Sequence, residues 1–207
     1  MSNILAIHSS LSSENSISNQ LVDQTVAALQ QSAPHSHVVL RDLAASSIPH
    51  LDADALAGIR GEPASEAQAA ARALSEKLVS ELKAADVLVI GAPMYNFGIP
   101  TSLKAWFDYV LHPGITFQYS SAGPKGLLTG KRAIVVLSRG GFFSDGPAKS
   151  MDSQEPHLRT LLWFMGITDV TFILAERLAS GAQAQEAALS SAAGQISQAV
   201  ENLKAAA

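Results

Sequence analysis

The run Asp86-Val87-Leu88-Val89-Ile90 is apolar at every position after its first and is rich in β-branched side chains. A strand with one wet face alternates polar and apolar residues. An unbroken run needs cover on both faces, as in a parallel sheet flanked by helices. Short apolar runs at residues 4–7, 38–40, 133–137 and 170–174 repeat the pattern. Between them lie stretches with helical spacing. Ile17, Leu21, Val22, Val26 and Leu29 follow a Ser16 N-cap, and Leu74, Leu78 and Leu82 mark the Ala-rich stretch 65–84. Residues 102–107, 158–165 and 183–204 read as further helices. Strands alternating with helices predict a three-layer α/β sandwich, one domain over residues 1–207. Its sheet is expected to have five parallel strands in order 2-1-3-4-5, with helices on both faces. Residues 115–119 alternate instead and read as an edge strand or hairpin arm.

The rest of the composition narrows the function by exclusion. A net charge of −4 offers no broad basic field, so nucleic acid is not an expected partner. With no cysteine, disulfides, thiolate catalysis and Cys-ligated metals are excluded. His35-x-His37 lacks a third ligand, and no metal is expected. No apolar stretch is long enough to span a bilayer, and residues 1–7 lack the build of a signal peptide. A cytoplasmic location without membrane attachment is the expectation. Gly-x-Gly-x-x-Gly, Gly-Lys-Ser/Thr and Gly-x-Ser-x-Gly are all absent, which leaves a Rossmann site, a P-loop and a nucleophile elbow unsupported.

In the expected strand order, the first, third and fourth strands stand side by side, and ligands bind beyond the carboxyl ends of such strands. Three distinctive loops leave those ends. The first, 9–18, carries Ser10, Ser16 and Ser18 before a helix whose free N–H groups and dipole favour a phosphate. The second, Pro93-Met94-Tyr95-Asn96-Phe97, is rich in aromatic surface. The third, Ser138-Arg139-Gly140-Gly141, has paired glycines that let the backbone approach a ligand plane. Taken singly, each loop also reads as ordinary: a capped helix, a core-packed turn, a flexible connection. Together they outline flavin mononucleotide (FMN), a monophosphate joined to a flat heteroaromatic ring. Arg60 either gates the substrate pocket or contacts a charged substrate there, or is simply solvated. Trp106 and Phe107 read as core, and Trp163 and Phe164 divide between core and an interface or pocket.

In these pieces the chain resembles the FMN-dependent NADH azoreductases within the wider NAD(P)H:quinone oxidoreductase group, which have a flavodoxin-like fold. The matching stretches are Ser9-Ser10, Ser16-Ile17-Ser18-Asn19-Gln20-Leu21, Ala92-Pro93-Met94-Tyr95-Asn96-Phe97, Gly114-Ile115-Thr116-Phe117 with Tyr119, Ser138-Arg139-Gly140-Gly141, and Gly166-Ile167-Thr168-Asp169-Val170. The resemblance implies a homodimer with FMN near its interface. Ser10, Ser16, Ile17 and Ser18 would hold the phosphate. Met94, Tyr95, Asn96, Phe97, Ser138, Arg139, Gly140 and Gly141 would hold the ring. Phe117 and Tyr119 would wall the substrate pocket, and Phe143 lies where relatives vary. NADH or NADPH would donate electrons to quinones or azo compounds in a ping-pong cycle, with no catalytic side chain because the flavin carries the chemistry. The rival readings are a flavodoxin-type electron carrier and a flavin-free nucleotide-binding domain.

Overall fold

The computed structural model of the chain describes residues 3–12 and 15–205. Ser13 and Glu14, inside the first of the three loops, lie outside the described residues. The elements follow as β1 (Asn3–His8), α1 (Ile17–Ser32), β2 (His37–Asp42), α2 (Ala53–Arg60), α3 (Glu66–Ala84), β3 (Val87–Pro93) and α4 (Thr101–Val110). Then come β4 (Phe117–Ser120), β5 (Gly123–Gly126), β6 (Arg132–Ser138), α5 (Glu155–Phe164), β7 (Asp169–Ala175) and α6 (Ala182–Ala205), with a 3-10 turn at Pro147–Met151.

Five strands form one parallel sheet, in the order β2-β1-β3-β6-β7. The count departs from 2-1-3-4-5 because β4 and β5 form a separate antiparallel hairpin inserted before the fourth sheet strand. Leaving the hairpin out restores the expected succession. The continuous apolar runs are explained by cover on both faces. Leu88, Ile90 and Ala92 of β3 enter one core with side chains of α2, α3, α4 and α5. Val87 and Val89 enter the other, against α1 and α6. In β6, Ala133, Val135 and Leu137 face the first core, and Ile134 and Val136 the second. This period of two is the pleat of a strand covered on both faces. Trp106 and Phe107 are fully buried, as the helical spacing implies.

Close backbone approach fixes two junctions. A Cβ on Gly91 would sit 3.0 Å from Val22 Cγ2 and 3.3 Å from the Ser18 carbonyl oxygen, so glycine lets the first turn of α1 settle against β3. A Cβ on Gly126 would sit 2.0 Å from Gly166 N, where Gly166 ends the α5 region at φ 93°. The hairpin is thereby pressed onto the far end of α5, and Leu128 N–H donates to the Met165 carbonyl at 2.9 Å.

Candidate active site

β1, β3 and β6 are adjacent and parallel, so their carboxyl ends open into one crevice. The loops are tied to one another across it. Ser9 Oγ donates to the Gly91 carbonyl at 2.6 Å. The Ser10 and Tyr95 hydroxyls lie 3.3 Å apart, and Leu11 N–H donates to Tyr95 Oη at 3.1 Å. Met94 N–H donates to the Ser138 carbonyl at 2.8 Å. Ser10 and Tyr95 therefore join the first and second loops, and Met94 and Ser138 join the second and third.

Two helices begin here. At α1, Ser16 Oγ accepts Asn19 N–H at 3.2 Å and lies 3.1 Å from Ser18 Oγ. Both serines are buried, the first turn holds no acidic residue, and Asn19 Oδ1 is buried without a partner among the described residues. The N–H groups of Ile17 and Ser18 make no hydrogen bond among the described residues. Free donors, a helix N-terminus and no competing carboxylate in that turn suit an anion. At α4 the N-cap position is Pro100, with no side-chain cap, and Ser102 Oγ donates to the Ser9 carbonyl at 3.4 Å.

The second loop is strained. Asn96 and Phe97 both have positive φ, 48° and 71°. Reciprocal 3.0 Å bonds between Tyr95 and Gly98 close the turn, and Ser153 N–H donates to the Phe97 carbonyl at 3.0 Å. Left-handed conformations at non-glycine residues cost about 1–3 kcal/mol each and collect at functional sites. Here they leave the Asn96 and Phe97 N–H groups without partners among the described residues. The Phe97 and Phe143 rings meet edge to face, 6.0 Å apart, and wall one side.

Arg139 departs from the expectation that it touches the ring. Its side chain is wholly buried and turned away from solvent. Its Nε donates to Gln154 Oε1 at 2.8 Å, and its two terminal nitrogens to Asp152 and Glu176 at 2.8 and 3.1 Å. The Arg139 N–H is spent on the Ala175 carbonyl at 2.9 Å, which leaves Gly140 and Gly141 as the donors of this loop. Gln154 Nε2 in turn donates to the Ala92 carbonyl at 2.7 Å, locking the start of α5 to the end of β3. Burial alone would raise the Glu176 carboxyl. Hydrogen bonds from Ser144, the Phe143 N–H and Arg139, with the Arg139 charge, outweigh it and hold it below the usual carboxylate range. Asp152, Gln154 and Glu176 escaped the sequence reading. Glu176 did carry the signal used for the three loops, a polar residue just past the end of an apolar strand.

Two pocket residues also move. Phe117 is buried against Phe164, with ring centroids 4.6 Å apart, and Tyr119 stands mostly exposed beside them. This cluster sits at the finish of α5, while the Gln154 bond to Ala92 places the start of α5 at the crevice. Ten helical residues span about 15 Å, which sets the Phe117–Phe164 cluster a helix length from the Gln154 bond at the crevice. Trp163 is exposed beside Phe164. Arg60 is exposed at the end of α2, and among the described residues no hydrogen bond or ion pair joins it to the crevice loops.

The fold and the crevice together define an α/β protein whose sheet edge is equipped for an anionic ligand carrying a flat polar ring. The chain belongs to the flavodoxin-like fold family, whose model matches residues 2–200. It is 54% identical over 196 residues to an FMN-dependent NADH:quinone oxidoreductase of Hyphomonas neptunium, covering 95% of this chain and 94% of that protein. An enzyme of the same description from Azotobacter vinelandii is 48% identical over 200 residues, 96% of this chain and 99% of that one. In fold, the chain is similar to the crystal structure of an azoreductase from Bacillus anthracis. There the TM-score is 0.89 at 24% identity, covering 98% of this chain and 100% of that one.

Proposed function

We propose that this protein is an FMN-dependent NADH:quinone oxidoreductase that also cleaves azo compounds, working as a homodimer. One observation carries the reading. An anion-ready helix start at α1 and four N–H groups without partners among the described residues, from Asn96, Phe97, Gly140 and Gly141, converge on one crevice. That donor set fits a phosphate at one end and the polar edge of a flavin ring at the other. The names of relatives 54% and 48% identical, which specify FMN, NADH and quinone, support the same reading.

When bound, FMN supplies the two-electron chemistry between nicotinamide and acceptor. The protein's residues supply everything around it. Ser16 and Ser18 hydroxyls and the first N–H groups of α1 hold the phosphate. Backbone donors on the second and third loops orient the ring and stabilise negative charge on its polar edge. The Phe97–Phe143 pair offers an apolar wall against which a flat acceptor stacks.

The dimer reading rests on the hairpin. Tyr119, 75% exposed, meets both rings of the Phe117–Phe164 pair edge on, and Trp163, next to Phe164 in sequence, is 58% exposed. That cluster is a helix length from its own crevice. The pocket role of Phe117 and Tyr119 is therefore assigned to the crevice of a partner copy. No helix among the described residues is long and apolar enough to cross a membrane, which fits a cytoplasmic enzyme.

Steady-state kinetics test the whole reading. With NADH and a quinone varied together, double-reciprocal lines should be parallel, because donor and acceptor share one stacking place. Azo substrates should consume two NADH per bond cleaved. Intersecting lines would contradict a shared place, and a protein that binds FMN without oxidising NADH would be an electron carrier. Light scattering should give twice the chain mass; a fully active monomer would remove the partner-built wall.

A further inference from the structure

We propose that Glu176 is a positioning residue: its carboxylate, anchored on Arg139, holds the segment 140–144 so that successive backbone N–H groups face the crevice. The inference rests on the FMN reading above and assigns the ring end of that site a support outside the three loops.

A trans peptide points its carbonyl and the following N–H in opposite directions. The carbonyls of Arg139, Gly140 and Gly141 accept from the N–H groups of Leu178, Ala179 and Arg177, at 3.2, 3.1 and 2.8 Å. The N–H groups of Gly140, Gly141 and Phe142 therefore point away from the 177–179 segment, and none has a partner among the described residues. A Cβ on Gly141 would meet the Phe143 ring at 2.8 Å, so glycine there leaves room for that ring. A loop with paired glycines does not hold such an orientation by itself.

Glu176 supplies the hold. Its Oε1 accepts from Phe143 N–H at 2.8 Å, Ser144 N–H at 3.0 Å and Arg139 at 3.1 Å, and its Oε2 accepts from Ser144 Oγ at 2.5 Å. Both ends of the loop are thus pinned to one carboxylate: Arg139 enters it and Ser144 leaves it. The Arg177 guanidinium lies 4.3 Å over the Phe142 ring and closes the outer side. Because Glu176 grips the Phe143 backbone, it also sets the ring that packs edge to face on Phe97. One partly buried carboxylate therefore fixes both the donor direction and the aromatic wall. Arg139 serves as its counter-ion and takes no direct part in ring contact.

The test uses full-length wild type, Glu176→Ala and Glu176→Gln. Each is titrated with FMN and with riboflavin, which lacks the phosphate, and the midpoint potential of bound FMN is measured by dye equilibration. In the alanine variant both flavins should lose affinity by the same factor, about tenfold. The potential should become more negative, since ring-edge donors favour the reduced ring. Glutamine keeps an acceptor for the two N–H groups and should recover most of both effects. Should the alanine variant not fold, the glutamine variant carries the test, with a smaller loss for both flavins and the same sign in potential. A lower melting temperature with unchanged affinities and potential would make Glu176 merely structural and overturn the proposal. So would a loss confined to FMN, which would put the effect at the phosphate. A wild type that binds neither flavin removes the FMN reading and this inference together; a flavin-binding wild type matched by its variants removes this inference alone.

Discussion

Ser18→Ala separates ligand binding from helix stability at the start of α1. The two buried serines there have different jobs. Ser16 Oγ caps the helix by accepting Asn19 N–H, whereas among the described residues the Ser18 hydroxyl has Ser16 Oγ alone as a partner, at 3.1 Å. Removing the Ser18 hydroxyl costs at most one neutral hydrogen bond, about 0.5–1.5 kcal/mol. A hydroxyl donating to a phosphate is charge-assisted and contributes about 1.5–3 kcal/mol, or roughly 10–150-fold in Kd. Ser16→Ala should weaken FMN similarly but also lose a cap of about 1 kcal/mol. In a chain of this size that lowers Tm by about 2–4 °C. The assay is a flavin fluorescence titration of each variant with FMN and riboflavin, beside a thermal melt. Ser18→Ala should weaken FMN, spare riboflavin and barely move Tm. Unchanged FMN affinity, or equal loss for both flavins, would refute the placement of the phosphate at α1.

Two further outcomes follow from the geometry. The Glu176 carboxyl is held below its ordinary range, so the folded state favours its ionised form. Its contribution is complete above the unfolded glutamate value of about 4.3 and is lost as pH falls through the lower folded value. Melts from about pH 6 to 3 should show Glu176→Gln losing less Tm on acidification than wild type, and equal losses would contradict the assignment. Gly126→Ala drives a Cβ into the backbone of Gly166 and Met165, so the hairpin must lift, at about 1–3 kcal/mol or more. Dimer and turnover should fail while FMN affinity holds, because the hairpin sits a helix length from the crevice; weakened FMN binding in an intact dimer would contradict this.

What the sequence made legible was what depends on local pattern. Unbroken apolar runs such as 86–90 announce cover on both faces, and the pleat of β3 and β6 divides their side chains between two cores. The three loops were legible because strand order alone brings their ends together. The buried ion pairs of Arg139 are not legible in the sequence, which shows it only as part of a glycine-rich loop that the resemblance sets against the ring. Its counter-ions, Asp152 and Glu176, are 13 and 37 residues away in sequence, and only the packing of β7 beside β6 brings Glu176 to it. Phe117 and Tyr119 are expected at the substrate pocket, but the sequence carries no sign of which end of the sheet they occupy. That is set by the Gly126–Gly166 contact, a tertiary fit between two glycines that look like ordinary turn residues. The strain at Asn96 and Phe97 was equally hidden, since Asn-Gly would be the usual choice for such a turn and Phe97 stands in the glycine position.

The central claim is that this crevice holds FMN and passes electrons from NADH to a quinone. The most direct measurement is the visible spectrum of the purified protein with FMN, taken under nitrogen before and after NADH and again after a quinone. The account predicts a bound-flavin spectrum that bleaches with one equivalent of NADH per site and returns in full with one equivalent of quinone. A flavin that stays yellow in the presence of NADH, or a protein that leaves FMN free in solution, would contradict it.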